Sequence, residues 1–293
     1  MSGADPFLQH RSLLFTVAYE MLGSAADAED VVQETWLRWD TVDPGARAQV
    51  RDPRAYLVRV VTRQALNRMR TISRTREDYV GEWLPEPLLT SPDVAEDVEL
   101  AESISIAMLT VLETLGPLER AVFVLREVFA MPHAEIAEAL GKTPAAVRQI
   151  ARRARAHVDA RRPQVQPDPS GQRELLSRSV AAMREGDAEA LVELLAPDVV
   201  MITDGGGIAS AAKAPVRGAT QVARFLLGLA RIAPGFTARW ATVNGGPALV
   251  FQAEAHEPTV LTAAVHEGLI TGLYAMRNPE KLTRVEQETP LSR

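Results

Sequence analysis

LGKTPAAVRQIARRARAHVDARR, residues 140–162, decides how the chain is read. Residues 134–140 predict a helix that Gly141 stops, because glycine accepts the left-handed backbone of a tight helix end. Thr143 is placed to cap the next helix and Pro144 to be its first residue. From there Val147, Ile150, Ala151, Ala154 and Val158 recur at helical spacing and predict a buried face. Arg148, Gln149, Arg152 and Arg155 fall on the other side, where a DNA major groove would admit them. The pattern reads as a helix-turn-helix. A solvated arginine face on an ordinary helical hairpin has the same spacing, which is permissive.

The 293 residues can support two or three domains, each with its own core. No cysteine is present, which excludes disulfides and thiolate metal sites and fits a reducing cytoplasm. The histidines are scattered without metal-ligand spacing, so neither metal nor cofactor is expected. The start, MSGADPFLQHRSLLF, lacks a basic segment followed by an apolar run, and no stretch reaches the roughly 18–20 apolar residues of a membrane span. A cytoplasmic location without membrane contact follows as the expectation.

Net charge is −6, an odd balance for a DNA-binding chain until its distribution is examined. Residues 47–76 carry nine arginines against the single acid Asp52, residues 77–102 carry nine acids and no base, and a second basic block occupies 142–162. Phosphate affinity scales with the charges neutralised. Two separate basic surfaces predict two DNA contacts, each weak alone, and a partner that holds the protein on DNA.

Upstream, Leu8, Leu13, Leu14, Val17, Ala18 and Met21 form an apolar helical stripe stopped near Gly23. Asp27 is placed to cap a second helix, with Val31, Val32, Thr35, Trp36 and Trp39 on its packed side. Residues 40–53 read as a loop. A long arginine-rich helix follows from about Pro53 to Arg76, burying Tyr56, Leu57, Val60, Val61, Ala65 and Met69. The prolines of WLPEPLLTSPD favour an extended linker, in which Trp83 is either a docking anchor or a half-exposed tryptophan. Beyond a second Pro/Gln-rich linker, helices are predicted at about 172–185, 187–195 and 219–232. Strands are predicted at 199–203, 236–243, 248–255, 260–267 and 269–277. Hairpin turns fall at NGGP 244–247 and HEGL 266–269. Helices on a curved antiparallel sheet make an α+β cone.

Several motifs, in order, resemble the extracytoplasmic-function group of bacterial RNA polymerase sigma factors. DAEDVVQETWLRW (27–39) resembles region 2.2, which grips the polymerase clamp. DPRAYLVRVVTRQALNRMR (52–70) resembles regions 2.3 and 2.4, which melt and read the −10 element. GPLERAVFVLREVFAMPHAEIAEALGKTPAAVRQIARRAR (116–155) resembles region 4, which reads the −35 element. WLPEP (83–87), DGGG (204–207) and NPEKL (278–282) resemble signatures of a narrower group with a fused SnoaL-like domain of the NTF2-like superfamily. One departure stands out: Ile208 replaces the lysine usual after the glycines.

The resemblance implies a multidomain fold of two all-α sigma domains followed by an α+β NTF2-like cone. Its expected parts are region 2 at 1–77, a linker at 78–103, region 4 at 104–162, a linker at 163–171 and a regulatory domain at 172–293. It implies a sigma factor whose partners are core RNA polymerase and promoter DNA. Candidates for −10 contacts are Arg54, Arg59, Arg63, Asn67 and Arg68, on a basic surface suited to single-stranded DNA. In region 4, Arg148, Gln149 and Arg152 are placed for base edges or adjacent phosphates, and Arg153 and Arg155 for phosphates or packing. Asp30, Gln33, Glu34 and Leu37 form the polymerase-binding candidates, an acidic and apolar patch suited to a basic coiled coil.

The C-terminal domain is expected to fold back on the sigma core and replace a separate anti-sigma protein. Its interdomain candidates are Trp83, Pro85, Pro87, Asp204, Gly205, Gly206, Gly207, Asn278, Pro279, Lys281 and Leu282. The cone leaves room for a small-molecule ligand of unspecified identity. Asp204 and His266 are its acid–base candidates, but an Asp before glycines often only shapes a turn, and no catalytic residue is assigned. Two rival classes are a one-component helix-turn-helix regulator with a small-molecule-sensing domain and a cyclase-like enzyme with a helical appendage. The first leaves the 27–39 motif without a role.

Overall fold

Caps and prolines set most helix ends in the structure, a computed structural model that describes residues 5–77, 79–161 and 168–293, without the side chains of 73–77 and Pro92. The side chains of Arg74 and Arg76, and residues 163–167 of the predicted second linker, lie outside the described residues. In chain order the helices are α1 Pro6–Leu22, α2 Ala25–Asp40, α3 Pro44–Ala48, α4 Pro53–Glu77, α5 Pro92–Glu96, α6 Val98–Ile104, α7 Ile106–Leu112, α8 Pro117–Phe123, α9 His133–Leu140, α10 Pro144–Asp159, α11 Pro169–Glu185, α12 Ala188–Leu194 and α13 Ala219–Ile232. The strands are β1 Leu195–Asp204, β2 Val216–Arg217, β3 Thr237–Val243, β4 Gly246–Ala253, β5 His256–His266 and β6 Leu269–Met276.

The chain divides into two compact units. The first comprises the residues up to 77, Val111–Arg161 and Pro290–Arg293. Here α1 is buried on nearly every side from Leu13 to Leu22, packed by α2, α4 and the end of α8. Burying a Leu- or Phe-sized side chain gains about 1.5–3 kcal/mol, and α1 buries Leu13, Leu14, Phe15, Val17, Met21 and Leu22 in this way. α8 continues through a π turn at Val124–Val128, closed by the Phe129 amide on the Val124 carbonyl at 3.3 Å. Arg120, 1% exposed, donates from Nε to the Glu20 carbonyl at 2.9 Å and pairs with Glu113. That buried guanidinium links α8 to α1.

Three details of the helical half differ from expectation. Ser24, not Asp27, caps α2, accepting from the Asp27 amide at 3.2 Å; the polar residue nearest the Gly23 stop captures an amide of the first turn. Leu8 is exposed while its neighbour Phe7 packs on Trp36 with ring centroids 5.0 Å apart. The 40–53 loop contains α3, nucleated where Asp43 accepts from the Gly45 and Ala46 amides.

The second unit comprises Tyr79–Thr110 and the residues from 168 to Thr289. Its sheet runs β2-β1-β6-β5-β4-β3, and the expected all-antiparallel arrangement is corrected: β1 and β6 are parallel. β3 to β6 form a meander of successive hairpins. The chain reaches that meander from β1 only after crossing over through α13, so its last strand arrives alongside β1 in the same direction. Turn residues with positive φ close three hairpins: Asn244–Gly245, Glu267–Gly268 and a third, not anticipated, at Ala255.

β4, β5 and β6 are buried along continuous runs and do not alternate, the mark of a sheet covered on both faces. Leu249, Leu261, Ala263, Val265, Leu273 and Ala275 face α11, α12 and α13. Ala248, Val250, Val260, Ala264, Tyr274 and Met276 face Leu84, Ile106, Ala107, Leu282 and Val285. The proline-rich stretch expected to be extended is so up to Ser91, and the linker expected over 78–103 is corrected beyond it. There α5 begins at Pro92 and α6 is capped by Asp97, which accepts from the Leu100 amide at 3.1 Å.

Candidate functional site

The helix-turn-helix forms as its residues predict. Gly141 is left-handed, with φ 62°, and the Thr143 hydroxyl accepts from the Ala146 amide at 3.2 Å. Val147, Ile150, Ala151, Ala154 and Val158 are all buried. Arg148, Gln149, Arg152, Arg153 and Arg155 are all exposed, but they are not equivalent. Arg153 lies 3.4 Å from Glu119, and Arg155 pairs with Glu127, which raises its pKa. Arg148, Gln149 and Arg152 have no protein partner among the described residues. They form a solvent-facing donor set that runs from the first turns of α10 to its middle.

The arginine helix α4 divides its candidates differently. Arg54 is exposed. Arg59 pairs with Glu138 of α9, while Arg63 donates to the Ala139 carbonyl at 2.7 Å and the Glu138 carbonyl at 3.1 Å. These two side chains thus occupy the C-terminal end of α9, where free carbonyls and the negative end of the helix dipole attract cations. Arg68 binds α2, donating from Nε to Asp27 at 2.7 Å with Asp30 at 3.4 Å; the Asp27 hydrogen bond raises its pKa. Asn67 is exposed; its side-chain oxygen meets Arg70 at 3.4 Å and its carbonyl accepts from the Thr71 hydroxyl at 3.3 Å.

On α2, Asp30, Gln33, Glu34 and Leu37 are exposed and share one face by their i, i+3, i+4, i+7 spacing. Leu37 is 59% exposed, one of the few large apolar side chains so open. Glu34 accepts from Gln64 at 2.7 Å. Val31 is buried, and Trp36 packs on Phe7.

The interdomain candidates meet at one carboxylate in the second unit. Asp204, at the end of β1, is fully buried and has every lone-pair direction engaged. Its Oδ1 accepts from the Tyr79 hydroxyl at 2.6 Å and the Gly206 amide at 3.1 Å; its Oδ2 accepts from the Leu84 amide and Lys281 Nζ, at 2.8 and 2.7 Å. Lys281 also donates to the Leu84 carbonyl at 2.7 Å, and its ammonium lies 4.1 Å from the Trp83 ring centroid and 4.8 Å from that of Tyr79. Trp83 is therefore an anchor, half-buried over a cation. Asn278 donates to the Tyr79 hydroxyl at 3.0 Å. A side chain at Gly206 would lie 2.3 Å from the Asn278 amide nitrogen, so only glycine lets these segments approach. Ile208 is exposed, and the charge opposite Asp204 comes from Lys281.

A second clamp was not visible in the sequence. The Asn244 side chain accepts from the Leu88 amide at 2.9 Å and donates to the Ile104 carbonyl at 2.7 Å. The Thr90 amide donates to Thr242 and its hydroxyl accepts from the Gly245 amide. Asn244 reads as a turn residue, and nothing in NGGP announces that its amide also binds a segment some 150 positions away. Tyr79 was missed for a like reason, as a lone tyrosine in an acidic stretch. Pro85 and Pro87 are buried beside these anchors.

Burial and the bond to Asp204 push the Tyr79 phenol above its ordinary value, and burial raises Tyr274 to about 12. The unfolded chain then loses these protons first, near pH 10. The stability these two tyrosines contribute is accordingly complete below about pH 10 and falls as pH rises further. Urea melts of the wild-type chain and of Tyr79→Phe at increasing pH check this; the variant is expected to show the weaker alkaline loss.

The two acid–base candidates do not form a pair. Asp204 registers with Met276 and His266 with Leu269, which puts most of β6, about 23 Å, between them. His266 Nε2 lies 3.9 Å from Glu267. Among the described residues no group of three or more His, Asp or Glu could hold a metal ion, and no helix is long and apolar enough to cross a membrane.

Residues 7–75 match the sigma-70 region 2 family model and residues 105–158 the sigma-70 region 4 model. The chain is 42% identical to the ECF RNA polymerase sigma factor SigJ of Mycobacterium tuberculosis, over 93% of this chain and 91% of that protein. It is 29% identical to the probable ECF RNA polymerase sigma factor SigI of the same species, over 98% and 99%. The crystal structure of the M. tuberculosis extracytoplasmic function sigma factor SigJ superposes with a TM-score of 0.78 at 38% identity, covering 98% of this chain and 99% of that one.

Proposed function

Because the chain belongs to the extracytoplasmic-function family of RNA polymerase sigma factors, we propose that its separate basic surfaces are the two promoter contacts of an initiation factor acting with core polymerase in the cytoplasm. Arg148, Gln149 and Arg152 read the −35 element, and Arg153 and Arg155 contribute phosphate contacts when released from Glu119 and Glu127. Arg54, Arg59, Arg63, Asn67 and Arg68 serve the −10 element, and Asp30, Gln33, Glu34 and Leu37 dock on the polymerase. The observation that carries this reading is the partner-free donor set on α10.

With Arg59 and Arg63 held by α9, the described arrangement is a closed form. The two promoter elements lie about 25 base pairs apart by name, roughly 85 Å at 3.4 Å per pair, so regions 2 and 4 must separate to reach both. Covalently they are joined by residues 79–110, which belong to the C-terminal unit. Folding α5 and α6 shortens that connection, since a helix rises about 1.5 Å per residue against 3.3 Å for extended chain. Holding or releasing this segment is how the fused domain modulates initiation, without catalysis: the Asp204 carboxylate is fully engaged, by Tyr79 and Leu84 of the linker and by Gly206 and Lys281.

Run-off transcription with core polymerase tests the reading, and loss of promoter-specific product would reject it. Glu138→Lys tests the closed form, because it sets a cation against Arg59 and Arg63. An exposed pair contributes about 1 kcal/mol or less, so up to about a fivefold rise in stable promoter complexes is expected at limiting polymerase. Unchanged complex yield would reject the closed form.

A further inference from the structure

The C-terminal unit contains a cavity of about 150 Å³ between α13 and the open end of the sheet. Its wall includes Phe225, Phe236 and Phe251, all only half-buried, with Phe236 and Phe251 edge to face at 5.5 Å. A cavity of about this volume is large enough for one benzene ring. Arg277, from the end of β6, also lines this cavity. Arg277 donates from Nε to the Thr259 hydroxyl at 3.1 Å and from a terminal nitrogen to the Ser210 carbonyl. It has no carboxylate partner among the described residues. Half-buried, it carries a desolvation cost that lowers its pKa. The other ionisable groups lining the cavity, His256 and Glu257, are exposed.

An unpaired guanidinium beside a ring-sized aromatic wall is complementary to one kind of molecule. We propose that this cavity binds a small monocyclic aromatic carboxylate, its ring among the three phenylalanines and its carboxylate on Arg277. Guanidinium takes a carboxylate through two parallel hydrogen bonds, and the ring covers phenylalanine surface that water now touches. The site would report directly to the linker clamp. The Arg277 and Asn278 amides both donate to the Asp204 carbonyl, at 2.7 and 3.0 Å, and the Ser210 carbonyl lies in the loop that follows the three glycines.

Titration of the full-length chain with benzoate, without polymerase or DNA, tests the proposal independently of the promoter reading. Chemical-shift perturbation and calorimetry are expected to give a Kd of about 0.1–1 mM. Benzyl alcohol, with the ring but no charge, and acetate, with the charge but no ring, should each bind at least about tenfold more weakly. Arg277→Gln should abolish the preference for benzoate over benzyl alcohol while leaving benzyl alcohol binding in place, which also shows that the variant folds. Phe225→Trp, which adds bulk to the cavity wall, should block both ligands. Absence of benzoate binding, or equal binding of benzoate and benzyl alcohol to the wild-type chain, overturns the proposal.

Discussion

Lys281→Met is expected to destabilise the C-terminal unit by about 3–5 kcal/mol, the usual cost of leaving a buried charge without its partner. The side chain is only 9% exposed, and it faces a carboxylate that water does not reach. For a body of roughly 150 residues that loss corresponds to about 6–20 °C in melting temperature. Asp204 would keep its bonds from Tyr79, Gly206 and Leu84 but lose the ammonium of Lys281, and Trp83 would lose the charge over its ring. Because a buried pair replaced as a whole is often nearly neutral, Asp204→Asn combined with Lys281→Met should recover much of the loss. Urea melts of the two single variants and the double variant give the coupling energy. A coupling below about 0.5 kcal/mol would mean that the pair is incidental. The same variant should free the segment from Tyr79 to Leu89. Trypsin has no site between 77 and 102, where no lysine or arginine occurs, so chymotrypsin, cutting after Tyr79 and Trp83, is the suitable probe.

Local chemistry was legible wherever one residue type has one physical role. Gly141, Thr143 and Pro144 placed the turn of the helix-turn-helix, and the apolar periodicity of α10 named all five of its buried residues, since both depend on neighbours within a turn. The Asn244–Gly245 and Glu267–Gly268 hairpins were legible for the same reason. What escaped was long-range. Arg59 and Arg63 read as free DNA contacts, because nothing in α4 records that α9 ends against it. Asp27 read as a cap, because its partner Arg68 lies 41 positions away. WLPEP, DGGG and NPEKL each looked significant, yet only folding brings them to a single carboxylate. One signal was present and overlooked. ALVF and VLTAAV are continuous apolar runs, and a half-solvated antiparallel sheet would alternate. They implied that something covers the second face of the sheet, and the segment that does so was at hand in the linker.

Arg148→Ala and Arg152→Ala are expected to lower transcription from a promoter that depends on its −35 element by about 5- to 150-fold each, because a base-edge contact is worth about 1–3 kcal/mol. The effect should come without loss of folding. Both side chains are exposed and without a partner among the described residues, and substitutions at such positions usually change stability by no more than about 0.5 kcal/mol. Arg153→Ala and Arg155→Ala provide the contrast. These two must leave Glu119 and Glu127 before they meet DNA, and removing a phosphate contact weakens all sequences alike while reducing the salt slope by about one. Gln149→Ala should relax sequence preference more than it reduces total binding, since an amide adds specificity and no charge. Run-off assays over a set of −35 variants, at two salt concentrations, separate the two classes. If Arg148→Ala and Arg152→Ala together left −35 dependence intact, α10 would not be the reading helix, and its open arginine face would be a solvated surface. Binding to duplex DNA without polymerase, as tight as with it, would instead favour a regulator that acts alone. The division of charge argues against that outcome: the two arginines of the donor set, Arg148 and Arg152, neutralise too few phosphates to hold a site at physiological salt.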